Sequence, residues 1–294
     1  MTLTRAQLDT LLNVRVPMGG AERSVRLRVP PAGDLLTLIL ERKVRTPERL
    51  AVLVPSELKR TIESIDGQPS NIELARAITR DMPAMVELLT ARKRMLEVLS
   101  EEGVVYATCP HCRAWEAELS VVALTVALQA GPWPIIEDGA VLGVPALAEP
   151  LPRGTRPATL PAAARIRFVP PTHVVGLPAE VVGGVLGDAD ADQGRLVREA
   201  WNRWAPPGDE RAPGRQQWRH DVPGFRAALR LAVALTSVEG ATDPISPALI
   251  ERMPVVDFYF LDTLHYVTHN VDVGPQTHAA ITCEQCGARF LPVL

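Results

Sequence analysis

No stretch of this chain strings together the 18 or so apolar residues that a membrane-crossing helix needs, so the sequence offers no membrane span. Charge of one sign is equally scarce. Against 31 Lys and Arg stand 34 Asp and Glu, leaving a net charge of −3, too little for the broad basic field that draws in nucleic acid. The richest basic stretch, 41–60, mixes Glu41, Glu48 and Glu57 among its Arg and Lys and reads as a solvated helix face. Also missing are a phosphate-cradling Gly-x-x-x-x-Gly-Lys loop, a Gly-x-Gly-x-x-Gly turn after a strand, and a Gly-x-Ser-x-Gly elbow. Their absence removes the commonest nucleotide-dependent and serine-hydrolase chemistries. Met1 to Leu12 is polar and lacks the apolar segment of a secretory leader. The expected setting is a reducing cytoplasm, where thiols stay unpaired.

Cysteine is rare too, but its placement is informative. The four present form two pairs of identical spacing, Cys109-Pro110-His111-Cys112 and Cys283-Glu284-Gln285-Cys286. Two thiolates separated by two residues grip one ion from the same side, and two such grips complete the four-sulfur tetrahedron that Zn2+ favours. Cys109, Cys112, Cys283 and Cys286 are therefore the expected ligands of one Zn2+. Such a site is closed and leaves no position for substrate, which points to structure rather than catalysis. The flanks agree: Val104-Val105-Tyr106-Ala107-Thr108 and the alternating Trp115 to Val121 predict a strand on each side of the first pair, and 278–282 and 289–294 do the same for the second. Gly287 supplies the positive φ that a metal knuckle needs. Arg113 holds that place in the first pair, which predicts an altered or strained turn.

Two other chemistries compete for these thiols. Cys109 and Cys112 match the motif of a thiol-disulfide oxidoreductase if 113–124 forms a helix behind them. Against this, only eight residues follow Cys286, too few for a redox helix and its sheet, and no thioredoxin-like strand pattern surrounds Cys109. A zinc-ribbon nucleic-acid binder is the other alternative, and the acidic charge balance opposes it. His265 and His269 lie one helical turn apart, with Asp262 a turn earlier, but Tyr266 stands where a zincin has its catalytic Glu. A polar helix face is the expectation there. His111 and His278 are expected either beside the metal or at the surface. Trp201, Trp204 and Trp218 are expected in the core or at an interface.

At 294 residues with 47% apolar content, the chain has material for two cores. A hairpin is expected around Met18-Gly19-Gly20, and helices from Asp34, from Pro47 through Ile65, from Ser70 (capping box with Glu73) and from Asp81 to Leu99. The last carries Met85, Val86, Leu89, Leu96 and Leu99 as its apolar stripe. Prolines crowd the interval 131–164, which reads as a linker that tolerates shortening. Beyond it come a strand over 165–169, a helix over 178–187, a helix over 195–204, and a helix from Phe225 ending at Val238-Glu239-Gly240. The order helix, glycine turn, Met-Pro helix, strand and CxxC then occurs twice, from Gly67 and from Gly240. The expected fold is thus α+β and mostly helical, with two related repeats, each ending in a CxxC β-hairpin knuckle, joined through one zinc. The corresponding domains are 1–130, the linker 131–164, and 165–294.

The elements around each CxxC resemble a family of baseplate hub assembly and contractile-tail zinc-finger proteins of phages and phage-like injection systems. The likeness rests on Val16-Pro17-Met18-Gly19-Gly20, Arg80-Asp81-Met82-Pro83, Thr108 to Cys112, Glu251 to Phe258, and Thr282 to Gly287. The resemblance implies a non-enzymatic assembly factor, or a minor component of the particle, whose partners are tail or baseplate proteins. This chain departs from the pattern by being duplicated and by its long proline-rich linker. The aromatic cluster Phe258, Tyr259, Phe260 and Tyr266 is expected to lie either against the other repeat or against a partner protein.

Overall fold

The computed structural model describes residues 3–34, 47–119, 147–150, 165–186, 199, 228, 231–232, 234–241, 245–269 and 279–290. Helix α1 (Arg5–Leu12) starts at Thr4, whose hydroxyl accepts from the Gln7 amide while the Gln7 side chain accepts from the Thr4 amide, so two otherwise orphaned donors are satisfied. Strands β1 (Asn13–Met18) and β2 (Ala21–Leu27) follow as a hairpin. Gly19 and Gly20 form its two-residue turn with φ of 61° and 80°, the left-handed pair that matches strand twist. Helix α2 (Pro47–Thr61) leads into β3 (Ile62–Ile65), which pairs with β2, and Asp66-Gly67 turns the chain into β4 (Gln68–Pro69). These strands form an antiparallel sheet ordered β1-β2-β3-β4.

Two further helices cover that sheet. Helix α3 (Ile72–Arg80) is capped by Asn71, which accepts from the Leu74 amide. Helix α4 (Met82–Ser100) is capped by Asp81, which accepts from Ala84, with Pro83 in the first turn where its missing N–H costs nothing. Ala84, Leu88, Met95 and Leu99 of α4 join Leu8, Val16, Val25, Leu27, Ile62 and Ile78 in one buried cluster.

A second antiparallel sheet is ordered β10-β9-β8-β5-β6, from strands Leu235–Glu239, Gly183–Leu186, Arg165–Val169, Val104–Thr108 and Glu116–Leu119. The two-residue alternation sorts its faces: Val105, Ala107, Ala117, Leu119, Ile166 and Phe168 are buried, while Glu116 and Glu118 are exposed and Tyr106 and Arg167 half-exposed. A third sheet, β12-β11-β7, joins Arg289–Phe290, Ala279–Thr282 and Leu147–Pro150. Short helices α5 (Pro171–Val174) and α6 (Pro247–Arg252) precede the long helix α7 (Val255–His269). No helix among the described residues is long and apolar enough to cross a membrane.

The two hydrophobic clusters meet on α7. Its first turn sends Val255 and Val256 into the cluster of the four-stranded sheet, while Phe258, Phe260, Leu261 and Leu264 pack into that of the five-stranded sheet. The segment after β2 reaches the same place: the Ala32 amide donates to the Met253 carbonyl at 2.7 Å and the Val255 amide to the Pro30 carbonyl at 2.8 Å.

The mostly helical fold of two related repeats is not what forms. Antiparallel sheets of four and five strands organise the chain beside the helices. Nor do the sheets divide it into two like units: hairpin β5–β6, which carries the first CxxC, extends the sheet built from β8, β9 and β10, whereas β11–β12 pairs with β7. Three of the errors share a cause. Ile62–Ile65 and Leu235–Glu239 are strands where helices were expected to continue, and Gly183–Leu186 is a strand where 178–187 read as a helix. Each is four or five residues long, and its pairing partner lies outside any local window. Asn71, not Ser70, caps α3; the Ser70 hydroxyl is buried without a hydrogen-bond partner. Val86, expected on the apolar stripe of α4, is 54% exposed. Of the helix expected from Asp34, only its start is described, with 32–34 already helical; the rest of it, Trp201, Trp204 and Trp218, and 195–204 apart from Glu199 fall outside the described residues. Of the interval 131–164, β7 is the described part.

Candidate metal centre

Each CxxC sits at the tip of an antiparallel hairpin, and the two tips are built alike. In the first, the Arg113 amide donates to the Cys109 carbonyl at 3.0 Å and the Cys109 amide to the Trp115 carbonyl at 2.9 Å. In the second, Gly287 donates to Cys283 at 2.8 Å and Cys283 to Ala288 at 2.9 Å. Gly287 has φ 69°, and Arg113 adopts the same left-handed conformation at φ 56°. The first knuckle therefore makes the same turn with a side chain that pays for it: for a residue with a Cβ this region costs about 1–2 kcal/mol.

The knuckles face one another. Cys109 Sγ lies 3.8 Å from Cys286 Sγ, and Cys112 Sγ lies 3.6 Å from Cys283 Sγ, so the first cysteine of each pair meets the second of the other. All four sulfurs fall within 4.8 Å of one another. Bonded disulfides have S–S of about 2.05 Å, whereas four sulfurs about 2.3 Å from a central ion sit about 3.8 Å apart. The spacing fits a tetrahedral ion, and the donor set is one that can hold a metal. Among the described residues this is the only group of three or more His, Cys, Asp or Glu side chains placed to do so.

Burial and backbone donors shape the site further. Cys109 and Cys283 are buried, Cys112 is half-buried and Cys286 is exposed. The Cys286 amide points at Cys283 Sγ at 3.4 Å, a donor suited to sulfur carrying negative charge. Burial pushes the Cys109 thiol up, but the amides of Cys112 and His111 and the thiols of Cys283 and Cys112 together bring it down to about 7. At Cys286 the Ala288 amide pulls the pKa down, and desolvation with the sulfurs of Cys283, Cys109 and Cys112 outweighs it, raising it to about 11. Four thiolates this close repel one another, and a bound cation is what allows all of them to ionise together.

The first hairpin is held rigidly on the sheet. The Arg167 guanidinium of β8 pairs with Glu116 of β6 at 2.9 Å and stacks over the Tyr106 ring of β5 at 4.2 Å, while the Thr108 hydroxyl donates to Glu116 at 3.2 Å. These bonds hold Glu116 below its ordinary pKa, the Arg167 bond foremost. Behind the knuckle, Cys112 and Trp115 pack against the buried cluster that contains Cys109 and Cys283. The residues after Cys112 form strand β6, where an oxidoreductase would need a helix.

Other expected residues are spread apart. His111 is exposed on the knuckle, and His265 is half-buried on α7. The side chains of His269 and Tyr266, and all of His278, lie outside the described set. Phe258 and Phe260 are buried, while Tyr259 between them is 37% exposed. The sequence reading passed over Asp257. This carboxylate is fully buried and accepts bonds from the Thr172 amide at 3.0 Å and the Thr172 hydroxyl at 2.5 Å. Burial pushes its pKa up to about 6 despite those bonds. A lone acid inside Val255-Val256-Asp257-Phe258 was the available signal. No protein-family model matches the chain, and neither a curated protein nor a solved structure does.

Proposed function

We propose that the chain is a non-enzymatic, zinc-stabilised, protein-binding component of a phage-like contractile tail or baseplate, acting as an assembly factor or minor part of the particle. The observation that carries the structural half of this reading is the mutual approach of four sulfurs from two distant hairpins. Zn2+ suits an all-thiolate tetrahedron, and four protein ligands leave no vacant position for a substrate. Its binding free energy is then spent on fixing the C-terminal hairpin β11–β12 against the β5–β6 knuckle. Free thiols also suit a reducing compartment such as the cytoplasm. The tail assignment draws its support from the resemblance around each CxxC, and the partners it implies are tail and baseplate proteins. Tyr259, exposed beside two buried phenylalanines, supplies an aromatic of the kind that dominates binding hot spots.

The test has two parts. Elemental analysis of the purified protein is expected to give one zinc per chain, lost in the Cys283→Ser/Cys286→Ser variant. Titration against purified tube, sheath and baseplate proteins of a contractile tail from the same source is expected to yield a stable complex, weakened about tenfold or more by Tyr259→Ala with zinc content unchanged. Absence of metal in the reduced protein overturns the structural half. Failure to bind any of those proteins, or disulfide reductase turnover abolished by Cys109→Ser, overturns the functional half.

A further inference from the structure

The four cysteines differ in exposure in a way that pairs them. Cys286 is exposed and its neighbour across the site, Cys109, is buried 3.8 Å away; Cys112 is half-buried and faces buried Cys283 at 3.6 Å. Each cross-knuckle contact thus joins a more exposed cysteine to a buried one. That is the arrangement of an oxidisable thiol beside a resolving thiol. We propose that Cys286 is a modification site for hydroperoxides, and that oxidation replaces the metal with the cross-knuckle disulfides Cys109–Cys286 and Cys112–Cys283. Both the release of metal and the order of bridge formation rest on the zinc reading above, because a bound cation is what keeps Cys286 ionised.

The chemistry balances at each step. The Cys286 thiolate attacks one oxygen of the hydroperoxide, the S–O bond forms as the O–O bond breaks, and the alkoxide or hydroxide takes a proton and leaves as alcohol or water. The Cys109 thiolate then attacks the Cys286 sulfenic sulfur; the S–S bond forms and hydroxide departs, taking a proton as water. Two electrons pass from the two sulfurs to the O–O bond. Cys112 and Cys283 repeat the sequence with a second hydroperoxide. Once the first bridge forms, two thiolates remain, too few to hold a tetrahedral ion.

The proposed bridges close the two contacts that cross the site. The cross-knuckle sulfurs need to close from 3.8 and 3.6 Å to about 2.05 Å. The resulting bridges span 177 and 171 positions, restricting the unfolded chain far more than a bridge across two residues. The oxidised protein therefore keeps its hairpins joined.

Stepwise hydrogen peroxide titration of the full-length protein as purified tests this, with metal release followed by a chromogenic chelator and bridges mapped by non-reducing digestion and mass spectrometry. The expected first bridge is Cys109–Cys286, with full metal release as the first two thiols disappear. A first bridge within either CxxC, loss of Cys112 ahead of Cys286, or thiols that survive excess peroxide would each overturn the proposal. Protein that carries no metal refutes the zinc reading and this proposal with it. Metal-loaded protein whose thiols resist peroxide, or that bridges first within a CxxC, refutes this proposal while leaving the zinc reading intact.

Discussion

Replacing Asp257 with asparagine tests whether a buried charge limits stability at neutral pH. The carboxylate lies where the two hydrophobic clusters meet on α7, and Thr172 supplies both of its described hydrogen bonds. Burial raises its pKa from the ordinary 3.8 to about 6. A carboxyl whose folded pKa exceeds its unfolded value binds a proton more tightly in the folded state. Its contribution therefore stabilises the fold as pH falls through about 6 towards 3.8, and the gain is lost as pH rises. The gap between these values corresponds to about 3 kcal/mol, of which about 1.4 kcal/mol is recovered between pH 7.5 and pH 5. Asp257→Asn has the shape of the protonated acid and removes this dependence, though its amide no longer accepts from the Thr172 hydroxyl, which costs about 1 kcal/mol. Urea unfolding of both proteins at pH 7.5, 6.5, 5.5 and 5 provides the assay. Metal loss at low pH lowers both curves alike, so the informative quantity is their difference. The wild type is expected to gain about 1.4 kcal/mol on the variant as pH drops from 7.5 to 5. Parallel curves, or a wild type that loses ground to the variant, would refute the reasoning.

Two further outcomes follow from the packing. Gly287→Ala is expected to cost about 1 kcal/mol, because its φ is 69° although a Cβ would meet nothing within 4 Å; Arg113→Gly, relieving the same conformation in the first knuckle, is expected to be neutral or stabilising by up to about 1 kcal/mol. Chemical denaturation with metal saturated checks both, and an Arg113→Gly variant less stable than the parent would show that its side chain contributes more than its backbone costs. Gly103→Ala places a Cβ 2.1 Å from the Phe260 ring, so a loss of about 1–3 kcal/mol is expected in thermal unfolding, relieved in the Gly103→Ala/Phe260→Leu double variant.

Features written in a few adjacent residues were legible in the sequence. The CxxC pairs with their flanking strands, the Met18-Gly19-Gly20 turn, the Asp81 cap followed by Pro83, and the Ile166–Phe168 alternation all appear as read. Features that depend on distant partners were not. Nothing near Ile62–Ile65 announces that β2 waits to pair with it, and Leu235–Glu239 is strand only because β9 lies alongside. Helical periodicity ran on through both, which is why the fold read as mostly helical. At the four-cysteine cluster the residue types and spacing were legible, and so was the awkward place of Arg113. The pairing of exposed Cys286 and half-buried Cys112 each with a buried cysteine depends on how two separate sheets bring their hairpins together, which no local pattern encodes.

The separation of the cysteines that meet, 171 and 177 positions, bears on how long the folded chain survives. Bringing such distant points together is entropically expensive, so their contact is expected to form after the tight hairpins β1–β2 and β3–β4. Interactions that form beyond the folding barrier leave the rate of folding unchanged and act on unfolding alone. An ion held between the knuckles would do little to hasten the arrival of the native state; it would slow departure from it, and the protein's working lifetime would depend on how tightly that ion is kept.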